Sequence, residues 1–446
     1  MCHGQACGRG KSLVFNIDTY SYLLIEMAIF LLKPIGKIYI RRYFCSLTCR
    51  CCSEMFRGNL SIIGSNKPQG ALHGIKILDM SRVLAGPFCT QILADYGADV
   101  IKVEQPGQGD DTRYWRVDGE KSIWGSEKKM SCYFAAVNRN KRSITLDVKK
   151  EEGKAILLHL ANDADVLQME EFGLGYDTLS KKNPKLIYAS ISGYGAEGPY
   201  AKRAGYDIIA AAEGGLLHIT GEREGAPTKP GLALTDISTG LYTHGAILAA
   251  LQARHRTGRG QKIESSLFET QLSLLTSVAT VWLNMGKEAT RFGTEHPSIV
   301  PYGAFKTQDS WLVCGATNNR QFRVLVGLLD CPEVAEDKRF ESTDQRTTQE
   351  WLIELEGSGM PYGPINSIED SFKHPQAEAR CMVDAMEFEA IANRDLKMVG
   401  VPVKFGDTKA SIRRRPPLLG EHTEEILLEA GIVIGKVEWL KKHAVV

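Results

Sequence analysis

The sequence predicts an α/β protein with a mostly parallel sheet and a second, smaller α/β domain later in the chain. Two strand–helix–strand signatures carry that prediction. In the first, GIKILDM from Gly74 is a short β-type run, PFCTQILADYGA has helical spacing with Pro87 suited to its first turn, and DVIKVE is a second β-type run. In the second, SITLDV from Ser143 leads into a helix from Lys149 to about Ala164, a short run at Val166 and the strand LIYASISGYG from Leu186. Strand, helix and strand in that order demand parallel pairing through a right-handed crossover. The loop after the first strand, Ser81 to Pro87, then lies where open α/β sheets bind ligands.

Helical stretches follow at Tyr206 to about Ile219 and Ser238 to about His255. The TGRGQ turn at Thr257 to Gln261 breaks the chain before KIESSLFET, and a further helix runs to about Met285. Turn-rich GTEHPSIVPYGAF, then WLVCGATNN and a helix from Gln321, read as entry into the smaller domain. Its end is marked by turns in GSGMPYGP and by strand-like VPVKF near Val401. The tail PPLLGEHTEEILLEAG is a loop and then a helix stopped at Gly431.

Composition narrows the class without naming a partner. The 446 residues are 43% apolar, and a formal net charge of +1 offers no field to hold nucleic acid or an anionic membrane surface. Cys89, Cys132, Cys314, Cys331 and Cys381 are widely spaced and form no disulfide framework, which suits the cytosol or an organelle matrix. Cys45, Cys49, Cys51 and Cys52 lack a second ligand pair at zinc spacing. Residues 1–70 form a distinct leader or extension, with nine Lys/Arg against three acids, and the apolar run Tyr20 to Leu32 is too short to span a bilayer. Such a leader suits a mitochondrial transit peptide, and an unstructured extension is the alternative.

Among residues that carry chemistry, Asp236 in GLALTDISTGLYTHG stands out. It is expected as the cap of the following helix, where backbone N–H groups and the helix dipole keep a carboxylate ionised. A cap is the ordinary reason for such an Asp, yet an ionised carboxylate is also what a nucleophile needs, and Ser238, Thr239 and Gly240 are expected to leave room for a large substrate. SGYG at Ser192 to Gly195 and the pair Gly214 and Gly215 are turns that let backbone approach a ligand. NRNKR at Asn138 to Arg142 is either a phosphate or carboxylate site or a solvated charge run. His218, His244, His255 and His296 have no metal-hydrolase spacing, and GxGxxG and GxSxG are absent, which disfavours nicotinamide and nucleophile-elbow chemistry.

Taken together, GIKILDMSRVLAGPFCTQILADYGADVIKVEQPGQGDDTR, NRNKRSITLD, ISGYGAEGP, RAGYD and PLLGEHT resemble the class III CoA-transferase family from about residue 72 to the chain end. HPSIVPYGAFKT, GATNNRQF and GSGMPYGPIN are most similar to its members that pass CoA from succinyl-CoA to glutarate, which are mitochondrial. The resemblance implies an interlocked homodimer. It assigns 71–285 and 406–446 to a large Rossmann-like CoA-binding domain, and 286–405 to a small domain with its linkers. It also implies CoA thioesters as substrates with no tightly bound cofactor, an acyl-CoA donor and a free carboxylic acid acceptor, and a mitochondrial matrix location, with the cytoplasm as alternative.

The family's nucleophile falls on Asp236. Its CoA contacts fall on Leu84, Ala85, Gln105, Leu146, Asp147, Val148, Lys149, Ala204, Gly205, Tyr206 and Asp207. Gln105 stands where some members have arginine. Arg82 and Arg113 are candidates to grip the distal carboxylate of a dicarboxylic acid, and backbone N–H groups around Gly293 to Tyr302 are candidate oxyanion donors. Tyr206 stands where the family's racemases have histidine, and a phenol with a pKa near 10 is a poor base at neutral pH. A racemase of the same fold and a non-catalytic CoA-binding protein remain the alternatives. Two departures accompany the match: Ala164 to Leu167 run straight into QMEEFGLGY without the family's longer loop, and a stretch near Arg346 is short.

Overall fold

Six strands, β1 (Lys76–Asp79), β2 (Asp99–Glu104), β3 (Lys141–Thr145), β4 (Val166–Met169), β5 (Ile187–Ser192) and β6 (Lys262–Ser266), form one sheet in the order β3-β2-β1-β4-β5-β6. Every pairing in it is parallel. The computed structural model describes residues 70–124, 129–169, 175–329, 347–391 and 395–446. The leader, its cysteine cluster, most of QMEEFGLGY and the stretch around Arg346 lie outside the described residues. Strand order reverses between β1 and β4, which puts a topological switch point, the usual ligand-binding edge of an open parallel sheet, at their carboxyl ends.

The sheet is covered on both faces, as a parallel sheet must be. On one face, Ile156 and Leu157 of α2 (Glu151–Asn162) meet Leu78, Ile144 and Leu167. The same core takes Ile426 and Leu427 of α10 (Thr423–Glu429) and Val437 and Leu440 of α11 (Ile434–Lys442). On the other face, Cys89 and Leu93 of α1 (Ala85–Asp95) and Ile247, Ala250 and Leu251 of α5 (Leu234–Thr257) pack on Ile77, Val100, Val166 and Ile187. Each fully buried aliphatic side chain contributes roughly 1.5–3 kcal/mol, so this packing rather than helix propensity holds the layers together.

Further along are α3 (Tyr176–Lys182), α4 (Asp207–Glu213), α6 (Leu267–Leu274) and α7 (Thr276–Met285). Strands β7 (Tyr302–Lys306), β8 (Trp311–Gly315) and β9 (Tyr362–Pro364) form an antiparallel sheet covered by α8 (Asn319–Leu328) and α9 (Thr348–Leu355), with Trp351 and Leu355 in its core. A two-stranded ribbon joins β10 (Val383–Glu387) to β11 (Asp395–Val399).

Several expectations shift. The helix expected over Tyr206 to Ile219 is broken at Gly215, whose φ is 82°, and the one running to Met285 is broken at Thr276, with φ 45°. VPVKF is irregular, and the strand is the preceding β11. The closing helix α11 adds an element beyond those expected.

The NRNKR segment is neither a solvated charge run nor a ligand site. Strand β3 starts at Lys141, two residues earlier than expected, and draws the whole segment into the interior. Arg139 pairs with Asp95 at 2.7 Å and Lys141 with Asp79 at 2.8 Å. Arg142 spans Asp99, Glu425 and Glu429, tying α10 to the sheet. Nearby, Lys102 pairs with Asp110 at 2.9 Å and Arg113 with Glu104 at 2.7 Å, all four buried.

Burial alone would raise the carboxyls of Asp79, Glu104 and Asp110, but Lys141, Arg113 and Lys102 beside them override it and hold all three below their ordinary values. Folding then favours the charged forms. That stabilisation is complete above the unfolded values, near 4, and is lost as pH falls through the lower folded ones. Through these three groups the urea midpoint should fall steeply as pH drops below about 4. Lys141→Met, which strands Asp79, should cost about 3–5 kcal/mol at pH 7 in the same assay.

Candidate functional site

Asp236 lies in the first turn of α5, two residues inside its first residue, Leu234, rather than at the cap as expected. The cap is Ala233, which supplies no side-chain acceptor. The N–H of Asp236 donates instead to the Asp207 carboxylate at 3.1 Å. The favourable interaction with the helix dipole survives the shift, because it extends over the whole first turn. Asp207, an expected CoA contact, thus secures the backbone that carries Asp236.

Small residues near Asp236 serve closeness rather than room. Ser238, Thr239 and Gly240 are buried, and a side chain at Gly240 would come within 2.6 Å of the Ala85 carbonyl oxygen. Gly240 therefore lets α5 touch the start of α1, setting Asp236 beside the loop that leaves β1. A second close approach shapes the opposite wall, where a Cβ on Gly193 would lie 2.7 Å from the Gly205 Cα. Ser192, Gly193 and Gly195 of SGYG line the cavity, whereas Gly214 packs against Gln271 away from it.

Asp236 opens into a cavity of about 1250 Å³. Leu84 and Ala85 line it from the β1 loop, Ser190 to Gly193 from β5, Ala204 to Tyr206 from the segment before α4, and Lys262 and Glu264 from β6. The volume exceeds the roughly 300–1,000 Å³ usual for small-molecule sites, which suits an extended ligand. Of the other expected CoA contacts, Gln105 and Leu146 to Lys149 line a smaller neighbouring cavity of about 290 Å³, and Asp207 lines neither. Ser81, Arg82 and Asp111 border both.

The two arginines separate. Arg82 is half-exposed at the junction of the cavities, with Nη1 donating to Asp111 at 2.9 Å. Arg113 is fully buried, donates twice to Glu104 and also to the Lys129 and Pro417 carbonyls, and lies over the Phe134 ring. With its donors committed inside the fold, it cannot grip a substrate carboxylate, and that expectation is corrected. The Gly293 to Tyr302 segment borders neither cavity, and the Gly293 N–H donates to the Gly221 carbonyl.

Residues that carry no signal in the sequence complete the site. Lys202, Arg203 and Lys262 join Arg82 on the lining, giving it four basic side chains. Arg203 pairs with Glu213 at 2.8 Å and lies near the Tyr194 and Tyr200 rings. Tyr133 stands edge-on to the lining residue Trp115, with ring centroids 5.5 Å apart. Burial, and then the charges of Asp236, Asp207 and Asp110, push its phenol above the usual value. An aromatic residue a few positions before a basic run gives no hint of this, since only folding brings Tyr133 into the field of Asp236. Among the described residues no group of three or more His, Cys, Asp or Glu could hold a metal, and no helix is long and apolar enough to cross a membrane.

The model of CoA-transferase family III matches residues 72–423. Succinyl-CoA:glutarate CoA-transferase of Mus musculus is 44% identical over 80% of this chain and 86% of its own length. The Homo sapiens protein of that name is 41% identical over 85% and 92%. A solved CAIB/BAIF family protein from Brucella suis superposes with a TM-score of 0.73 at 38% identity, covering 81% of this chain and 100% of its own. A half-buried acidic residue in the first turn of a helix, facing a large cavity lined by both basic and acidic side chains at the switch point of a parallel sheet, is thus found in a chain that belongs to CoA-transferase family III.

Proposed function

We propose that this CoA-transferase passes CoA from succinyl-CoA, or a similar dicarboxyl-CoA, to a free dicarboxylate such as glutarate, with Asp236 carrying the acyl group. The observation that bears most on this reading is the placement of Asp236, an acid in a helix first turn on the wall of a cavity large enough for CoA. The relatives named for succinyl-CoA and glutarate support the choice of acids.

In the proposed sequence an Asp236 oxygen attacks the thioester carbonyl carbon, the C–S bond breaks and CoA thiolate leaves a mixed anhydride. The thiolate then attacks the Asp236 carboxyl carbon, expelling the donor acid and forming an aspartyl-CoA thioester. The acceptor carboxylate attacks that carbon in turn and displaces the thiolate, which takes the acceptor acyl group and restores the Asp236 carboxylate. No electrons are exchanged and each step trades one activated acyl group for another. Arg82, Lys202, Arg203 and Lys262 supply positive charge for the phosphates of CoA and a distal carboxylate. Trp282, Leu283 and Met285, exposed on α7, support an apolar interface of the kind an interlocked homodimer needs. A mitochondrial address is proposed from the basic leader together with the family resemblance.

Asp236→Ala should fold normally and lose all transfer from succinyl-CoA to glutarate, followed by mass spectrometry of new thioesters. Wild type quenched with hydroxylamine during turnover should carry hydroxamate on the peptide containing Asp236; a label elsewhere sinks the mechanism. Arg82→Leu should raise KM for dicarboxylates about tenfold more than KM for a monocarboxylic acceptor, as expected for losing one charge-assisted contact. Asp236→Asn should lower the pH at which Tyr133 ionises, read as tyrosinate absorbance against Tyr133→Phe, because one of the charges opposing ionisation is gone.

A further inference from the structure

The β1 loop that faces Asp236 contains a backbone conformation that its sequence disfavours. Val83 has φ 67°, and a β-branched residue in the left-handed region is a strained one that persists only where its surroundings impose it. Those surroundings are buried charges. Lys102 Nζ donates to the Ser81 carbonyl at 2.9 Å and pairs with Asp110 at 2.9 Å. The other Asp110 oxygen accepts from the Val83 N–H at 3.3 Å and from Thr112, through N–H at 3.0 Å and hydroxyl at 2.7 Å.

Asp79 accepts from the Ser81 N–H at 3.0 Å, and Lys141 donates to the Pro87 carbonyl at 2.8 Å. The loop is thus held at both ends and at its middle. It is also closed on itself, since a Cβ on Gly86 would fall 2.3 Å from that of Ser81. Between these anchors lie Arg82 to Gly86, which line the large cavity.

We propose that Lys102 and Asp110 are positioning residues, which impose the left-handed backbone at Val83 and so preorganise the Ser81 to Gly86 wall to receive the CoA thioester. Neither touches ligand; each acts through the loop backbone. The identity of the ligand rests on the transferase reading. Preorganisation of this kind acts on affinity, because a wall already in its bound shape loses no conformational freedom on binding.

The test is calorimetric titration of the full-length protein with free CoA, alongside its Tm. Val83→Gly removes the strain and the stiffness together. It should leave Tm close to wild type and weaken CoA binding about tenfold. An unchanged Kd overturns the proposal, and so does a fall in Tm that accounts for the loss of binding.

The double variant Lys102→Met with Asp110→Leu removes both anchors without stranding a charge. It should weaken binding to the same degree, and adding Val83→Gly to it should change nothing further, as expected for parts of one device. Full additivity overturns the proposal; should the double variant fail to fold, Val83→Gly decides alone. Because the titration reads binding and not turnover, a wild type that bound CoA without transferring it would refute the transfer mechanism and leave this test intact.

Discussion

The carboxyl edge of the sheet depends on charges that water never reaches. Asp79 and Lys141, Glu104 and Arg113, and Lys102 and Asp110 are each paired within 3 Å, and all are almost wholly buried. Taking such ions out of water costs several kcal/mol apiece, and their attraction offsets this only when the remaining lone pairs and protons are also satisfied. Here they are satisfied by loop backbone: Ser81 N–H on Asp79, Pro87 carbonyl on Lys141, Ser81 carbonyl on Lys102, and Asp110 N–H on Glu104. The loops at the crevice are therefore part of the solution to burying the charges. Neither could be rearranged without leaving the other unpartnered.

That constraint explains how a functional edge can be both open and stiff. A hydrophobic core excludes water but does not specify where a polar loop goes, whereas a buried carboxylate accepts from particular N–H groups and no others. Helix α5 is then located against the loop by contact, with Gly240 on the Ala85 carbonyl. Asp207 holds the first turn of α5 from the side of α4. Asp236 is placed by these two supports, each from a different part of the chain. It borders the cavity while its backbone is fixed.

The sheet is legible in the amino-acid pattern because β2 and the runs around β1, β4 and β5 are apolar stretches of strand length separated by helical periodicity. That pattern follows from burying both faces of a parallel sheet. The break at Gly215 is marked in the sequence by the Gly214 and Gly215 turn, but the one at Thr276 is not legible: apolar spacing continues through it, and Thr276 is not a residue that announces a left-handed turn. In the site, Asp236, Leu84, Ala85 and Ala204 to Tyr206 follow from motifs and do line one cavity. Arg113 misleads for the reason NRNKR does: a charged residue in a polar stretch looks solvated until the partner that folding brings to it is known.

Local chemistry in the sequence is sufficient for the α/β class, the parallel crossovers and the presence of an acid at the start of a long helix, because periodicity and helix-start preferences act within a few residues. Which charges become structural and which face the ligand was settled only by tertiary packing. The partners of Lys141, Arg113 and Arg142 lie 62, 9, and from 43 to 287 positions away, and those pairings are made by the packing of strands, loops and helices rather than by neighbours in the chain. The same holds for Val83, whose backbone is left-handed because Asp110 and Lys102 are underneath it, and nothing in the residues next to Val83 requires it.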